Sequence, residues 1–256
     1  MEVLYLNVNG FAGTKNKRTK GDTNNIEIAK KILYEIFNKS DPEIIFLSEF
    51  NVHEDAGKYV IEYLEETKEY KRVYPDKCNS KDIKKGHISI VMAFAKEKGI
   101  ESEKSPRKAL TLKWNEIVYK GYRFVGVHIP SQDERAKAAV NFWDAVHEHY
   151  KSHENEKVIY IGDMNVYDEG TDTIKRFYDL IKAGAKDAWC EKHPNKSIEE
   201  SYTHITREKK VKKRLDYAIM SEPAHNNLND IKNIQEFVEE KLSDHSAILI
   251  NLKDIE

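Results

Sequence analysis

The chain is poor in cysteine and in long apolar runs, and each shortage excludes a class of protein. Only Cys78 and Cys190 occur among 256 residues, which argues against a disulfide-stapled secreted scaffold and favours a reducing compartment, although one disulfide between them stays open. No apolar run approaches the ~20 residues that span a bilayer, and the start Met1-Glu2-Val3 lacks the basic and apolar segments of a signal peptide. We therefore expect a cytoplasmic protein without a membrane span, and a monomer.

The chain also lacks an excess of basic charge. It has 42 Lys and Arg against 44 Asp and Glu, a formal net charge of −2. Duplex-binding proteins usually present a basic face, so this balance does not indicate strong duplex binding. Basic residues can still cluster locally, and they do so in the segment 207–214. The composition therefore does not exclude a nuclease.

Apolar periodicity predicts a mixture of helices and strands. Helical spacing is found over 24–38, 55–69, 131–150 and 171–183. Strands are predicted over 3–9, 44–48, 87–95, 109–114, 116–119, 122–128, 158–162, 214–220 and 246–251, with a hairpin turn at Lys120-Gly121. This mixture predicts an α/β protein, and we expect one domain over 1–256. The polar, Lys-rich stretches 12–23 and 100–108 are interpreted as mobile loops near the mouth of a site.

Polar side chains stand where the predicted strands begin or end. They are Asn7, Asn9, Glu49, His128, Asp163, Asn165, Asp216, Asp244 and His245. A strand delivers the side chain at its end to a fixed place, so these carboxylates, amides and imidazoles are expected to converge. Oxygen ligands of this kind suit a hard divalent cation, and a histidine suits acid–base work.

Five of these segments form ordered motifs. They read Leu6-Asn7-Val8-Asn9-Gly10, Ser48-Glu49-Phe50, Gly162-Asp163-Met164-Asn165, Arg214-Leu215-Asp216-Tyr217 and Ser243-Asp244-His245. Together they resemble the endonuclease/exonuclease/phosphatase family of metal-dependent phosphoesterases, which includes pancreatic-type deoxyribonuclease and exonuclease III. The resemblance runs from Leu4 to Leu252 and implies a four-layer sandwich, with two face-to-face mixed β-sheets flanked by helices.

The resemblance also implies roles for these residues. Mg²⁺ or Mn²⁺ is expected on Glu49, Asp244, Asn7 and Asn9, although Asn9 alone would more often be a turn residue before Gly10. Asp163 is expected to activate or align the attacking water and Asn165 to bind a phosphate oxygen; an Asx-turn is the alternative for this pair. His245 is expected to pair with Asp216 as a general base or a charged phosphate clamp, or simply as a buried, satisfied histidine.

His128 and its neighbours bear on the substrate. The apurinic endonuclease branch has Tyr where this chain has His128, which resembles the deoxyribonuclease and tyrosyl-DNA phosphodiesterase branches instead. Ser131 and Arg135, at the predicted start of a helix, are candidates for anion binding. Lys212 and Arg214 are candidates for substrate binding at the site mouth, the alternative being a solvated loop.

Three hypotheses follow for the function. The preferred one is a metal-dependent phosphodiesterase in which an activated water attacks in line, acting as a nuclease or a DNA- or RNA-end-processing enzyme. The second is a sphingomyelinase-like phospholipid or inositol-phosphate phosphatase, since the same catalytic core serves those substrates. The third is a nucleic-acid-binding module with a degraded site. The motifs leave the substrate and endo or exo action open.

Overall fold

The structure, a computed structural model, describes residues 1–13, 24–79, 81–83, 90–97, 99–167, 171–206 and 210–253. The strands are β1 (Glu2–Asn7), β2 (Ile44–Phe50), β3 (Lys71–Val73), β4 (Ile90–Ala95), β5 (Trp114–Tyr119), β6 (Tyr122–His128), β7 (Lys157–Asp163), β8 (Lys186–Asp187), β9 (His204–Ile205), β10 (Lys212–Lys213), β11 (Asp216–Met220), β12 (Leu228–Ile234) and β13 (Ala247–Leu252). The helices are α1 (Asn24–Lys39), α2 (Asp55–Glu62), α3 (Gln132–His153), α4 (Asp172–Lys182), α5 (Ala188–Lys192), α6 (Ile198–Ser201), α7 (Glu222–His225) and α8 (Glu236–Glu239). A π-helical turn (Tyr63–Thr67) continues α2, and 3₁₀ turns lie at Asn9–Phe11, Pro75–Lys77 and Lys108–Leu110.

Two mixed sheets carry the fold. The six-stranded sheet has the order β12-β13-β1-β2-β4-β3, with β1 parallel to β2 and the other neighbours antiparallel. The five-stranded sheet has the order β5-β6-β7-β11-β8, with β6 parallel to β7. Strands β9 and β10 form a separate two-stranded hairpin. Each large sheet therefore has one parallel pair, whose carboxyl ends point the same way.

The sheets pack face to face because their strands alternate apolar residues between two sides. In β1, Val3 and Tyr5 pack toward the five-stranded sheet, whereas Leu4 and Leu6 join the core formed with α1 and α2. The outer face of the five-stranded sheet packs on α3 and α4. At Gly126 of β6 a Cβ atom would lie 2.4 Å from Cδ1 of Phe46, so the close approach of the sheets there requires glycine. This is the expected four-layer sandwich.

Most of the predicted elements are found. The hairpin turn at Lys120-Gly121 has the left-handed φ angles, 46° and 73°, of a tight two-residue loop. The predicted strand over 109–114 is wrong: a 3₁₀ turn occupies Lys108–Leu110, and Lys113 N donates to Leu110 O at 2.8 Å before β5 begins. Strand β12 was not predicted, because its buried residues do not alternate regularly.

Other expectations are only partly covered by the described residues. The proposed loop over 12–23 falls largely outside the described residues, and the predicted strand over 87–95 falls partly outside them. In the stretch 100–108, Ser102 forms an isolated antiparallel β-bridge with Ile117 of β5. Cys78 and Cys190 are both free thiols, so the disulfide left open by the sequence is absent. Among the helices of the described ranges, none is long and apolar enough to cross a membrane.

Candidate active site

One edge of the sandwich collects the polar strand ends. Asn7 ends β1, His128 ends β6 and Asp163 ends β7, while Asp216 begins β11. The strand register places His128 and Asp216 on either side of Asp163. Because β1 belongs to one sheet and the other three strands to its partner, the face-to-face packing brings these ends together.

Asp163 lies at the centre of this group. Its Oδ2 atom accepts a hydrogen bond from Nδ2 of Asn7 at 3.2 Å and lies 3.7 Å from Nε2 of His128 and 3.9 Å from Nε2 of His245. Its backbone N donates to the hydroxyl of Tyr5 at 2.9 Å, which ties the two sheets together at this point. The carboxylate is therefore fixed from both sheets while one oxygen faces the cluster.

Glu49 reaches the group through an irregularity in β2. The pairing of β2 with β4 shifts between Leu47 and Phe50, and Glu49 in this bulge has a φ of 53°. A left-handed backbone costs a non-glycine residue about 1–2 kcal/mol, and bulges re-aim side chains. Oε1 of Glu49 accepts from Nδ2 of Asn7 at 3.3 Å and lies 3.9 Å from Nε2 of His128. The strained backbone thus directs this carboxylate at the cluster.

Asp216 and His245 form the expected pair. Nδ1 of His245 lies 2.8 Å from Oδ2 of Asp216, and both side chains are buried. Thr203 Oγ1 accepts from the backbone N of Asp216 at 2.9 Å, and Ser243 Oγ accepts from the backbone N of His245 at 3.1 Å. The carboxylate of Asp216 consequently orients the imidazole, and the hydroxyls of Thr203 and Ser243 hold the backbone of the two residues.

The buried charges perturb one another. Burial raises the pKa of Asp163 to about 7, with a further contribution from the nearby Asp216 carboxylate. Burial by itself lowers the pKa of His245, but the charge and hydrogen bond of Asp216 outweigh it and raise that pKa to about 9. The neighbouring His204 has its pKa lowered to about 4 by burial and by the charge of His245. Two carboxylates thus crowd around one imidazole.

The donor set fits a hard divalent cation. One ligand atom from each of Asp163, Asp216 and His245 lies within 4.8 Å of the others. Within the described part of the chain, no hydrogen-bond donor reaches the buried Oδ1 atom of Asp216. Carboxylate oxygens with unused lone pairs are the ligands that Mg²⁺ and Mn²⁺ take, and Glu49 adds another beside them.

The four predicted metal ligands do not all behave alike. Asn7 and Glu49 lie in the cluster, and Asp244 directly precedes His245 and is nearly buried. Asn9 turns away: its Nδ2 donates to the carbonyl of Gly13 at 2.7 Å, and its backbone N donates to Oδ1 of Asn7. These bonds place Asn9 in a turn, and its role as a metal ligand stays a prediction.

The predicted phosphate-binding residues are also placed. The backbone N of Asn165 donates to Oδ1 of Asp163 at 3.1 Å, an Asx-turn, and its Nδ2 donates to the carbonyl of Ile129 at 2.8 Å. Ser131 precedes the first turn of α3. Arg135 is exposed at a kink in that turn, with φ −150°. No measured contact joins Ser131 or Arg135 to the cluster, and their roles stay predictions.

Arg214, a predicted substrate-binding residue, forms an ion pair with Asp187. Its guanidinium binds Asp187 in a bidentate pair, with N–O distances of 2.8 and 2.6 Å, and its side chain is only 12% exposed. Asp187 in turn accepts from the backbone N of Trp189 and caps α5. Asp187 thus balances the charge of Arg214 in this structure, and substrate binding by Arg214 stays a prediction.

The hairpin β9–β10 carries the rest of the basic segment and lies against the site. Ile205 N donates to the carbonyl of Asp244 at 3.2 Å, and Ser246 N donates to Thr203 O at 2.7 Å. Lys212 pairs with Glu199 and covers the ring of Tyr202, so it is partly engaged. Substrate binding by Lys212 stays a prediction, and residues 207–209 of this segment fall outside the described ranges.

Sequence reasoning missed the supporting residues. Tyr5, whose hydroxyl bonds Ser48 at 2.6 Å, reads in the sequence as one more apolar strand residue. Thr203 lies in a stretch without periodicity. Lys113, whose Nζ lies 3.4 Å from Nδ1 of His128, falls inside the wrongly predicted strand. Since these residues act across sheets or between loops, no local pattern could identify them.

No family model and no curated protein matches this sequence. Solved structures match over 99% of the chain. They include the 3′-5′ exonuclease NExo from Neisseria meningitidis (TM-score 0.73, 15% identity, 100% of that chain), also solved as a 3′ phosphatase bound to a product DNA hairpin. An AP endonuclease from Archaeoglobus fulgidus matches with a TM-score of 0.71 and 16% identity over 99% of that chain. Humanized D. rerio TDP2 matches with a TM-score of 0.67 and 16% identity over 98% of that chain. The likeness shows that the chain has the endonuclease/exonuclease/phosphatase fold.

Proposed function

We propose that this chain is a divalent-metal-dependent phosphodiesterase that hydrolyses nucleic acid, as a nuclease or an end-processing enzyme. The observation that carries the proposal is the convergence of Glu49, His128, Asp163 and the Asp216–His245 pair at one edge of the sandwich. Both sheets contribute to this group, so we treat 1–256 as one functional domain, active as a monomer.

The geometry supports a division of labour within the cluster. Asp163 presents Oδ2 to both histidines, and its Oδ1 accepts from the backbone N of Asn165; it would align an attacking water and take its proton. His245 directs Nδ1 to Asp216, which leaves Nε2 on the side of Asp163. From there Nε2–H would hold a phosphate oxygen and stabilise the charge that develops on it.

The acidic residues would hold the metal. Glu49 and Asp163, which both accept from the amide of Asn7, would offer hard oxygen donors, with Asp244 proposed as a further ligand. When bound there, Mg²⁺ or Mn²⁺ supplies charge neutralisation of the phosphodiester and assists formation of the nucleophile. Without such a cation the carboxylates would repel an anionic substrate.

One observation supports nucleic acid as the substrate. The backbone of the basic hairpin β9–β10 is hydrogen-bonded to the segment that carries Asp244 and His245. NExo, a structure of the same fold, was solved with a DNA hairpin. At 15% identity this likeness carries only the fold, and we therefore rest the substrate class on the hairpin.

The test is hydrolysis by the purified chain, with Mg²⁺, Mn²⁺ or EDTA, of a panel of DNA, RNA, 5′-tyrosyl DNA, inositol phosphates and sphingomyelin. We expect cleavage of a nucleic acid that EDTA abolishes. Glu49→Gln removes a carboxylate ligand and should lower kcat/KM at limiting Mg²⁺ by a factor of about 10³, with an unchanged circular dichroism spectrum. Cleavage of lipid or inositol phosphate alone would replace the proposed substrate, and full activity in EDTA would overturn the metal dependence.

A further inference from the structure

Lys113 lies beside a histidine of the cluster. It stands just before β5, and its backbone carbonyl accepts from the backbone N of His128 at 3.0 Å, opposite it on β6. The pairing of Trp114 with Val127 continues this register. Nζ of Lys113, on a half-buried side chain, lies 3.4 Å from Nδ1 of His128. Two neighbouring strands therefore fix this contact.

The chemistry of an ammonium group decides the direction of the contact. A lysine ammonium has three donors and no acceptor. Nδ1 of His128 must therefore accept, and a neutral imidazole that accepts at Nδ1 carries its proton on Nε2. Nε2 points into the cluster, 3.7 Å from Oδ2 of Asp163 and 3.9 Å from Oε1 of Glu49. An N–H group is thus directed at the acidic end of the site.

We propose that Lys113 is a positioning residue that holds His128 as the Nε2–H tautomer, so that His128 donates a hydrogen bond to the substrate phosphate. The two histidines of the site then have opposite partners. Nδ1 of His245 faces the carboxylate of Asp216 at 2.8 Å, whereas Nδ1 of His128 faces the ammonium of Lys113. His245 thus has an anionic partner at Nδ1, and His128 has a cationic one.

The role of His128 toward phosphate rests on the proposed function, but its tautomer does not. The first measurement is therefore independent of activity: ¹⁵N spectra of the imidazole rings in the full chain at about pH 8, where an ordinary histidine is neutral. The His128 signals are assigned by their loss in His128→Gln. We expect Nδ1 without a proton and Nε2 with one.

Matched variants separate positioning from simple packing. Lys113→Met keeps the length of the side chain and removes the donor, so Nδ1 should gain proton character. Lys113→Arg keeps a cationic donor and should retain the tautomer. Lys120→Met is the control, since Lys120 lies at the other end of the same hairpin and pairs with Glu43. A proton on Nδ1 in the parent chain, or no change in Lys113→Met, would overturn the proposal.

Kinetics with a small phosphodiester, bis-p-nitrophenyl phosphate, give the second test. Lys113→Met should lower kcat about 10- to 100-fold, the usual effect of losing a partner that orients an active-site group, with KM little changed. In a His128→Ala background the same change should cost nothing more. Additive losses would mean that Lys113 acts on the substrate directly. If the parent cleaves no phosphoester, the proposed function fails, while the ring spectra still decide the tautomer.

Discussion

Two buried polar clusters lie along the five-stranded sheet, and they are built on opposite principles. On its outer face, Glu116 accepts from Trp114 Nε1 at 3.0 Å and faces Arg123 NH1 at 2.5 Å and His149 Nε2 at 3.2 Å. At the site edge, Asp163 shares its surroundings with a second carboxylate, Asp216. One cluster surrounds its carboxylate with donors, and the other crowds its carboxylates together.

The two clusters can be compared directly because their central carboxylates, Glu116 and Asp163, are equally buried. The side chains of Glu116 and Asp163 are both 3% exposed. Burial raises the pKa of each, but hydrogen bonds from His149, Trp114 and Arg123 bring the pKa of Glu116 below its usual value, whereas the charge of Asp216 adds to the rise at Asp163. Partners, not depth, therefore decide whether a buried carboxylate stabilises the fold or is held ready for a ligand.

The largest expected coupling between two residues concerns the Asp216–His245 pair. His245→Ala and Asp216→Asn should each lower kcat by a factor of about 10²–10³, because an imidazole without its carboxylate loses both orientation and charge. The double variant should be hardly worse than His245→Ala, since the two act as a unit. The check is a double-mutant cycle on the cleaved nucleic acid. Losses that multiply would show that the two residues act separately.

Glu116→Gln tests the other cluster. Removing the charge leaves Arg123 and His149 facing a neutral amide, and breaking a buried pair in this way costs about 3 kcal/mol of unfolding free energy. The lowered pKa of Glu116 fixes the pH dependence: its stabilisation is present above the pKa of Glu in the unfolded chain and is lost as pH falls through the lower, folded value. The difference in unfolding free energy between Glu116→Gln and the parent should therefore become smaller in acid.

Urea denaturation near neutral pH and in acid measures this difference in unfolding free energy. Glu156→Gln is the control, because Glu156 binds the same Arg123 at 2.9 Å but is 49% exposed. Exposed pairs contribute about 0–1 kcal/mol. Equal losses from the two variants would remove the distinction between the surrounded and the exposed carboxylate.

Asp163→Asn should change the unfolding free energy in the opposite direction to Glu116→Gln. It replaces one of two crowded buried carboxylates by a neutral group of the same shape, so the metal-free protein should gain about 1 kcal/mol of unfolding free energy, the usual gain from relieving a strained functional site. Activity should be lost, because the amide cannot take a proton from water. The measurement is urea denaturation in EDTA. A loss comparable to that of Glu116→Gln would mean that both clusters are structural.

The sequence predicts the Glu116 cluster far less well than the Asp163 cluster. Asp163, Asp216 and His245 stand in ordered motifs at strand ends, and the four-layer arrangement follows from the same resemblance. Glu116 and His149 come together only because β5 and α3 pack on each other, which no local spacing records. The left-handed bulge at Glu49 is likewise set by the pairing of β2 with β4.

Tertiary contacts that the sequence does not record also affect two of the predicted site residues. Arg214 has the charge expected of a substrate contact, but Asp187, 27 positions earlier, already binds it. Asn9 has the amide of a ligand, yet its backbone folds into a turn with φ 48° and its side chain bonds Gly13. Residue type predicts what a side chain is able to do, whereas tertiary partners decide whether it is available.

The smallest expected effect concerns the basic hairpin. Lys212→Gln combined with Lys213→Gln should weaken nucleic-acid binding only modestly, because Lys212 already pairs with Glu199 and Lys213 lies over the ring of Tyr167. The salt dependence is the sharper measurement: each lost phosphate contact lowers the slope of log K against log salt by about one. Hydrolysis of bis-p-nitrophenyl phosphate should not change, because the cluster around Asp163 is untouched.

The control is Lys30→Gln with Lys58→Gln on α1 and α2, whose lysines pair with Glu27 and Asp55. If both double variants bind DNA and RNA with the parent's slope, the hairpin does not contact the phosphate backbone, and the charge that recognises nucleic acid lies elsewhere.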